Sequence, residues 1–135
     1  QHLRSRDKPL LAEWLIGRGL ALRTLDLVDE KEAINSPGLF FPRFKALLQT
    51  GTTDKAHGLL QETEKILSPS EKARANAYLG KAIGDPEAVA KFINWAMQAK
   101  IPFALVEAGR LALLSHDGNA ARKAYATVLD LDPDL

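Results

Sequence analysis

Hydrophobic and polar positions along this chain repeat at a helical period over most of its length. In one recurring pattern, a small residue is followed by a larger one after four positions and by a third anchor after three more. That spacing places the three side chains on one stripe of a helix. The copies are Ala56, Leu60 and Thr63; Ala88, Phe92 and Trp95; and Ala121, Tyr125 and Val128, so that their first residues are 32 and 33 residues apart. A stripe returning at this interval is typical of helical repeat arrays, in which each unit buries its face against its neighbours.

Helix-breaking residues divide the second part of the chain into three predicted helical hairpins. The hairpins cover residues 37–68, 69–101 and 102–135. Each has a proline near its start, which suits a first helical turn, and a glycine-containing turn between its two helices. The residues expected to cap these helices are Thr53 or Asp54, Ser68 or Ser70, Asp85, and Asn119.

Residues 1–36 follow the repeat less closely. Their apolar positions keep a helical spacing, with Gly17 and Gly19 as the internal breakers. Either one long helix or two helices that bend at these glycines would satisfy the pattern. We expect this segment to be a degenerate repeat or a cap. The fold predicted for the whole chain is an all-α superhelix of about seven helices.

An aromatic cluster stands at the start of the first hairpin. Phe40, Phe41 and Phe44 place three rings within five residues, more than one helix face buries alone. We expect two of the rings to fill the joint between the amino-terminal helices and the hairpins. The alternative is an exposed patch for a partner or for a second copy of the chain.

Composition restricts the classes of function. The chain has 135 residues, of which 46% are hydrophobic and 26% charged, as in one ordinary globular domain. No apolar run reaches the length of about 18 residues typical of a membrane span, so we expect no membrane insertion. The net charge of +1, with basic and acidic residues interspersed, gives no indication of nucleic-acid binding.

The absence of cysteine excludes disulfides and thiolate metal sites, but it leaves the compartment of a soluble chain open between cytoplasm and periplasm. The chain begins at Gln1 without an apolar signal core. We therefore expect an excised domain or a processed form of a larger protein.

The residues that usually carry out catalysis show no matching pattern. The three histidines, His2, His57 and His116, lack metal-ligand spacing, and the serines fall at predicted helix ends or turns. Three alternating aspartates near the carboxyl terminus lack the glycine and glutamate of a calcium loop. We expect neither enzyme activity nor a cofactor nor a metal site.

The last hairpin resembles the tetratricopeptide repeat. The residues that carry the resemblance are Leu105, Ala108, Gly109, Ala121, Tyr125 and Pro133, with Val128 where the family usually has alanine. The middle hairpin keeps Ala88 and Phe92 but has Trp95 at a position that is usually small, and the first keeps mainly Ala56. The resemblance is strongest over residues 102–135 and weaker over 37–101.

A small residue in this pattern lets two helices approach closely. We expect Gly109 to have that role, since any side chain there would push the paired helix outward. Trp95 is expected to widen the equivalent crossing or to cover a gap left by a neighbouring helix.

The resemblance implies a concave groove lined by the first helices of successive hairpins, and a non-catalytic role as a protein-interaction or adaptor module. The residues it projects into the groove are Arg74, Ala77, Lys81, Phe103, Val106, Glu107 and Arg110. The three cations among them are suited to a carboxylate-bearing peptide or an acidic helix. They would otherwise be ordinary solvated residues. The alternative function is a sensory or regulatory helical domain attached to a signalling or transcription effector, and formation of a homo-oligomer stays open.

Overall fold

The computed structural model describes residues 7–134, and this part of the chain is all-α, with nine helices and no strand. The helices are α1 (Asp7–Gly17), α2 (Ala21–Leu27), α3 (Glu30–Ala33), α4 (Pro37–Gln49), α5 (Thr53–Thr63), α6 (Pro69–Ile83), α7 (Pro86–Ala99), α8 (Pro102–Leu114) and α9 (Gly118–Leu131). The chain divides into two compact units between Ala75 and Asn76, inside α6. No helix within residues 7–134 is long and apolar enough to cross a membrane.

The amino-terminal segment forms a bent pair of helices rather than one long helix. The chain leaves α1 after Gly17, and Gly19 adopts a φ of +75°, a left-handed conformation that favours glycine. The short helix α3 was not predicted. Asp29 accepts a hydrogen bond from the Glu32 amide, and the Glu32 side chain accepts one from the Asp29 amide. This capping box stabilises a single turn and helps to bring the number of helices above the seven expected.

The three phenylalanines of α4 are all buried in the first unit. Phe40 stacks on Phe44 and meets Phe41 edge-on, with ring centroids 5.0 Å apart in both pairs. Helices α1, α2, α3 and α5 pack against α4 around these rings. Two buried rings were expected and three are found, so none of the three forms an exposed patch.

Arg43 attaches the end of α2 to α4. Its Nη1 donates hydrogen bonds to the carbonyl oxygens of Val28, at 2.7 Å, and Leu25, at 3.4 Å. The last turn of a helix has carbonyls without helical donors, and a cation there also interacts favourably with the helix dipole. The guanidinium therefore satisfies the carboxyl end of α2 from a neighbouring helix.

The second unit contains the end of α6 together with α7, α8 and α9. Helix α8 packs against α7 and against α9. The buried apolar residues of these three helices are Val89, Phe92, Ala96, Ala104, Leu105, Ala108, Leu111, Ala112, Ala121, Ala124 and Val128. Most of them are alanines, and small side chains allow helix axes to lie close together.

Two glycines of the second unit make room for side chains of a neighbouring helix. A Cβ atom on Gly109 would lie 2.7 Å from the ring of Tyr125, so the missing side chain makes room for this ring. A Cβ atom on Gly80 would lie 2.4 Å from the Cβ of Ala88 and 3.1 Å from the carbonyl oxygen of Asp85. Sequence reasoning missed Gly80, although it singled out Ala88. Trp95 lies half-buried beside Phe92, with ring centroids 5.8 Å apart.

Two of the predicted caps are found. Ser68 forms a reciprocal capping box with Glu71 at the start of α6, and Asp85 accepts a hydrogen bond from the Glu87 amide at the start of α7.

Two other predicted caps were wrong. Asp117, not Asn119, caps α9 and accepts a hydrogen bond from the Ala120 amide, because the helix already begins at Gly118. Thr52 stands at the N-cap of α5 without a side-chain cap bond, so neither Thr53 nor Asp54 occupies that position.

Gly80→Ala is expected to lower the free energy of unfolding by about 1–3 kcal/mol, because the new methyl group would overlap that of Ala88. Gly58→Ala is the matched control within α5. A Cβ atom there meets nothing within 4 Å, so the helix propensity of alanine should raise the free energy of unfolding by up to about 1 kcal/mol. Urea titrations followed by circular dichroism measure both variants. Equal effects would contradict the close contact at Gly80.

Arg43→Met keeps an elongated side chain but removes the donors to α2. We expect it to lower the free energy of unfolding by about 1–3 kcal/mol, because the Val28 carbonyl loses a charged partner. Arg23→Met, at an exposed position of α2, is the control and should change stability little. An unfolding midpoint of Arg43→Met equal to that of the wild type would argue against the role of Arg43.

Candidate partner-binding surface

The seven residues projected into the groove do not share one environment. Ala77 is fully buried and the Glu107 side chain is 5% exposed, so neither is on the surface that a partner would meet. This corrects their projection as groove residues. The physical reason is that a helical wheel gives spacing only, whereas burial depends on which neighbouring helix covers each side of the wheel.

Arg74 belongs to the first unit and contacts its core. The guanidinium carbon lies 4.1 Å from the centroid of the Phe41 ring, a cation–π geometry. Arg74 is half-buried there. Its planar charge therefore covers one of the three buried rings of α4.

Lys81 belongs to the second unit and ties the end of α6 to the end of α8. Its Nζ donates a hydrogen bond to the Leu114 carbonyl oxygen at 2.7 Å. That carbonyl belongs to the last turn of α8, which has no helical donor for it. The lysine is otherwise exposed, and an ammonium group carries three donors, so it keeps a positive charge at the surface beside α8.

Helix α8 carries a continuous exposed stripe, which we call the α8 stripe. Its residues are Phe103, Val106, Arg110, Leu113 and Leu114. They follow one another at helical steps of three and four residues and so lie on one side of α8. Phe103 is 61% exposed and the two leucines 54% and 53%, while Val106 is half-buried. Arg110 is the only polar member, so the stripe is an apolar surface with one positive charge.

The opposite side of α8 is buried and holds the helix firmly. Its small and aliphatic residues face α7 and α9, as described above. Three members of the α8 stripe were among the projected groove residues. Leu113 and Leu114 were missed. Their position three and four residues after Arg110 would have placed them on the exposed side.

A polar pair, in which Glu107 is buried and Tyr78 half-buried, links α8 to α6. The hydroxyl of Tyr78 donates a hydrogen bond to the carboxylate of Glu107. A buried carboxylate is costly unless hydrogen bonds replace the water that it loses. Tyr78 therefore helps to make the burial of Glu107 possible and sets how α8 is rotated against α6. Sequence reasoning did not find this pair, because the residues are 29 positions apart.

Titratable residues also lie away from the α8 stripe, and Glu30, Arg43, Lys55 and Glu62 line a cleft of about 280 Å³ in the first unit. Within residues 7–134 no group of three or more His, Cys, Asp or Glu side chains is placed to hold a metal ion. His57 and His116 are exposed, and His2 lies outside the described residues. A cleft of about 310 Å³ beside the α8–α9 turn has Asp117 as its only titratable lining residue. Asp117 already caps α9.

Tyr78→Phe is expected to lower the free energy of unfolding by about 1–3 kcal/mol, because the buried Glu107 carboxylate loses this donor. Tyr125→Phe uses the only other tyrosine of the chain as a matched control, at a position that is 36% exposed. It should change stability by less than about 0.5 kcal/mol. Thermal and urea unfolding measure both. Tyr125→Phe destabilising the chain as much as Tyr78→Phe would contradict the role of the hydrogen bond between Tyr78 and Glu107.

In comparisons with known proteins, no family model, no curated protein and no solved structure matches this chain. The resemblance to the tetratricopeptide repeat therefore stays a prediction.

Proposed function

We propose that this chain is a non-catalytic protein-interaction module of tetratricopeptide type, and that the α8 stripe is its main contact surface. One observation carries the proposal. Four of the five side chains of the stripe are apolar, and they stand on a helix whose other side is buried. Contiguous apolar surface that is rigidly supported is typical of sites where another protein packs.

The energetics of the stripe fit a reversible complex. Removing one leucine or phenylalanine side chain from water contributes about 1.5–3 kcal/mol. Association costs at least about 4 kcal/mol in lost translational and rotational freedom. The free energy gained by burying four apolar side chains exceeds the cost of association by a modest margin. We therefore expect affinities closer to the micromolar than to the nanomolar range, as in transient adaptor complexes.

The charges around the stripe favour an acidic partner. Arg110 lies within the stripe, and Lys81 lies beside its carboxyl end through the bond to Leu114. Positive charges at the edge of an apolar contact accelerate encounter with an acidic surface and disfavour a basic one. Glu107 supports α8 from its buried side through the hydrogen bond from Tyr78. Arg74, which covers Phe41, is not part of this surface.

Selection from a displayed library of random peptides on the immobilised chain tests the proposal. We expect enriched peptides that carry apolar and acidic residues. Phe103→Glu should weaken their binding about tenfold or more, because it places a charge in the apolar contact. Arg110→Glu should weaken the binding of acidic peptides. This loss of affinity should grow as salt is lowered, because the repulsion between like charges is then less screened.

Two exposed residues of the first unit provide matched controls. Leu10 is 71% exposed on α1, and Arg23 is exposed on α2. Leu10→Glu and Arg23→Glu should leave binding unchanged. The proposal fails if no peptide is enriched, or if the selected peptides bind Phe103→Glu as tightly as the wild type.

A further inference from the structure

The contact between Gly109 and Tyr125 defines a second surface of the hairpin formed by α8 and α9. The Tyr125 ring of α9 lies against Gly109 of α8. The side of α8 next to Gly109 and the side of α9 next to Tyr125 therefore face the same direction. Val106 and Leu113 lie one turn before and after Gly109. Helix α9 runs antiparallel to α8, because only residues 115–117 connect them. Val106 is therefore level with the residue one turn after Tyr125, and Leu113 with the residue one turn before it.

Helix α9 contributes Leu129 and Arg122 at those two levels. Leu129 is one turn after Tyr125, and Arg122 is one turn before it. We call the resulting surface the outer hairpin face. Its residues are Val106, Arg110, Leu113, Arg122, Tyr125 and Leu129. Leu113 is 54% exposed, Leu129 52% and Tyr125 36%. The face shares Val106, Arg110 and Leu113 with the α8 stripe and extends it across α9.

The charges on the outer hairpin face are all positive. Arg110 and Arg122 are exposed, and neither makes a hydrogen bond or an ion pair with any residue within 7–134. The one acid of α8, Glu107, is buried and accepts a hydrogen bond from Tyr78. Asp117 caps α9, and Asp130 is about 100° round the helix from Leu129. Asp132 is exposed at the end of α9, two turns after Tyr125 and beyond Leu129. Between the levels of Arg122 and Leu129 the face thus combines apolar side chains with two cations.

We infer that the partner of this module is an amphipathic helix with acidic residues beside its apolar stripe, and that it packs along the outer hairpin face. This rests on the proposed function. Helix α7 packs against the small-residue side of α8 in the same unit, so a helix on the outer face would form one more layer of the same kind. Apolar residues at steps of three and four fit between the side chains of α8 and α9. Its acids would meet Arg110 and Arg122, and a basic helix would be repelled by both.

Two synthetic peptides test the inference on the intact chain. Each has about 18 residues, with leucines at steps of three and four. One has glutamates beside the leucines, and its twin has lysines at the same positions. Fluorescence anisotropy measures their dissociation constants. We expect the acidic peptide to bind about tenfold more tightly than the basic one at low salt, with the difference shrinking as salt is added.

Variants on α9 make the test specific to this face. Leu129→Glu should weaken binding of the acidic peptide about tenfold or more. Arg122→Glu should reduce or reverse the preference for the acidic peptide over the basic one. Lys91→Glu, at an exposed position of α7, is the control for the charge change and should have no effect. Circular dichroism spectra that match the wild type establish that the variants are folded.

Several outcomes would overturn the inference. They are equal binding of the two peptides, binding of neither, or binding that Leu129→Glu leaves unchanged. A wild-type chain that sediments as a dimer and becomes a monomer in Leu129→Glu would show that a second copy covers the face instead. Peptides selected from the library could lose affinity for Phe103→Glu but not for Leu129→Glu. That result would support the proposed interaction module and contradict binding along the outer hairpin face.

Discussion

Close helix packing in the second unit depends on side chains that are small or missing. Gly80 allows Ala88 to approach, and Gly109 allows the Tyr125 ring to lie against α8. Along α8 the residues turned towards neighbouring helices include several alanines and a glycine, since any larger group would separate the helices. The phenylalanine and two of the leucines of α8 are left on the outside. The apolar surface of α8 is therefore a direct consequence of how the core is built.

The hydrogen bond from Tyr78 to the buried Glu107 adds direction to this packing. Alanine-rich contacts are smooth, and helices held by them alone have little to determine their rotation about the axis. A hydrogen bond between a tyrosine hydroxyl and a buried carboxylate is satisfied in few arrangements. It fixes which side of α8 faces α6. It therefore fixes which side presents the α8 stripe, so an interior polar bond helps to determine the geometry of the exposed surface.

Helix positions could be predicted from the sequence because their signals are local. Prolines at first turns, glycine turns and capping boxes act over a few residues, and all six hairpin helices begin within about two residues of the expected position. The cap of α9 was assigned to Asn119 because Gly118 was taken as a breaker. The turn before it, where His116 has a φ of +61°, instead lets Asp117 reach the Ala120 amide. That geometry is set by the turn as a whole and not by residue type.

Burial within the helices was harder to predict, since it depends on pairing between distant parts of the chain. Ala77 and Glu107 have the spacing of surface residues but are covered by neighbouring helices. Leu113 and Leu114 were not among the residues projected onto the surface, and as a general rule apolar residues are buried. That rule works in one direction only, because folded proteins also expose many apolar atoms. One sequence signal could have identified the packed side of α8. Its alanines and its glycine cluster on that side, so the small size of the residues indicates where neighbouring helices pack.

Two exposed apolar residues of the first unit form a single row on α1. Leu10 and Trp14 lie one turn apart on α1, at 71% and 53% exposure. This row ends at Arg18, whose guanidinium carbon lies 4.8 Å from the Trp14 ring centroid and covers part of it. A single file of two side chains offers a partner little area. The outer hairpin face has rows on two paired helices, and its arginines have no partner within residues 7–134. Apolar area and unneutralised charge therefore coincide at α8 and α9, which is where we expect a partner to bind.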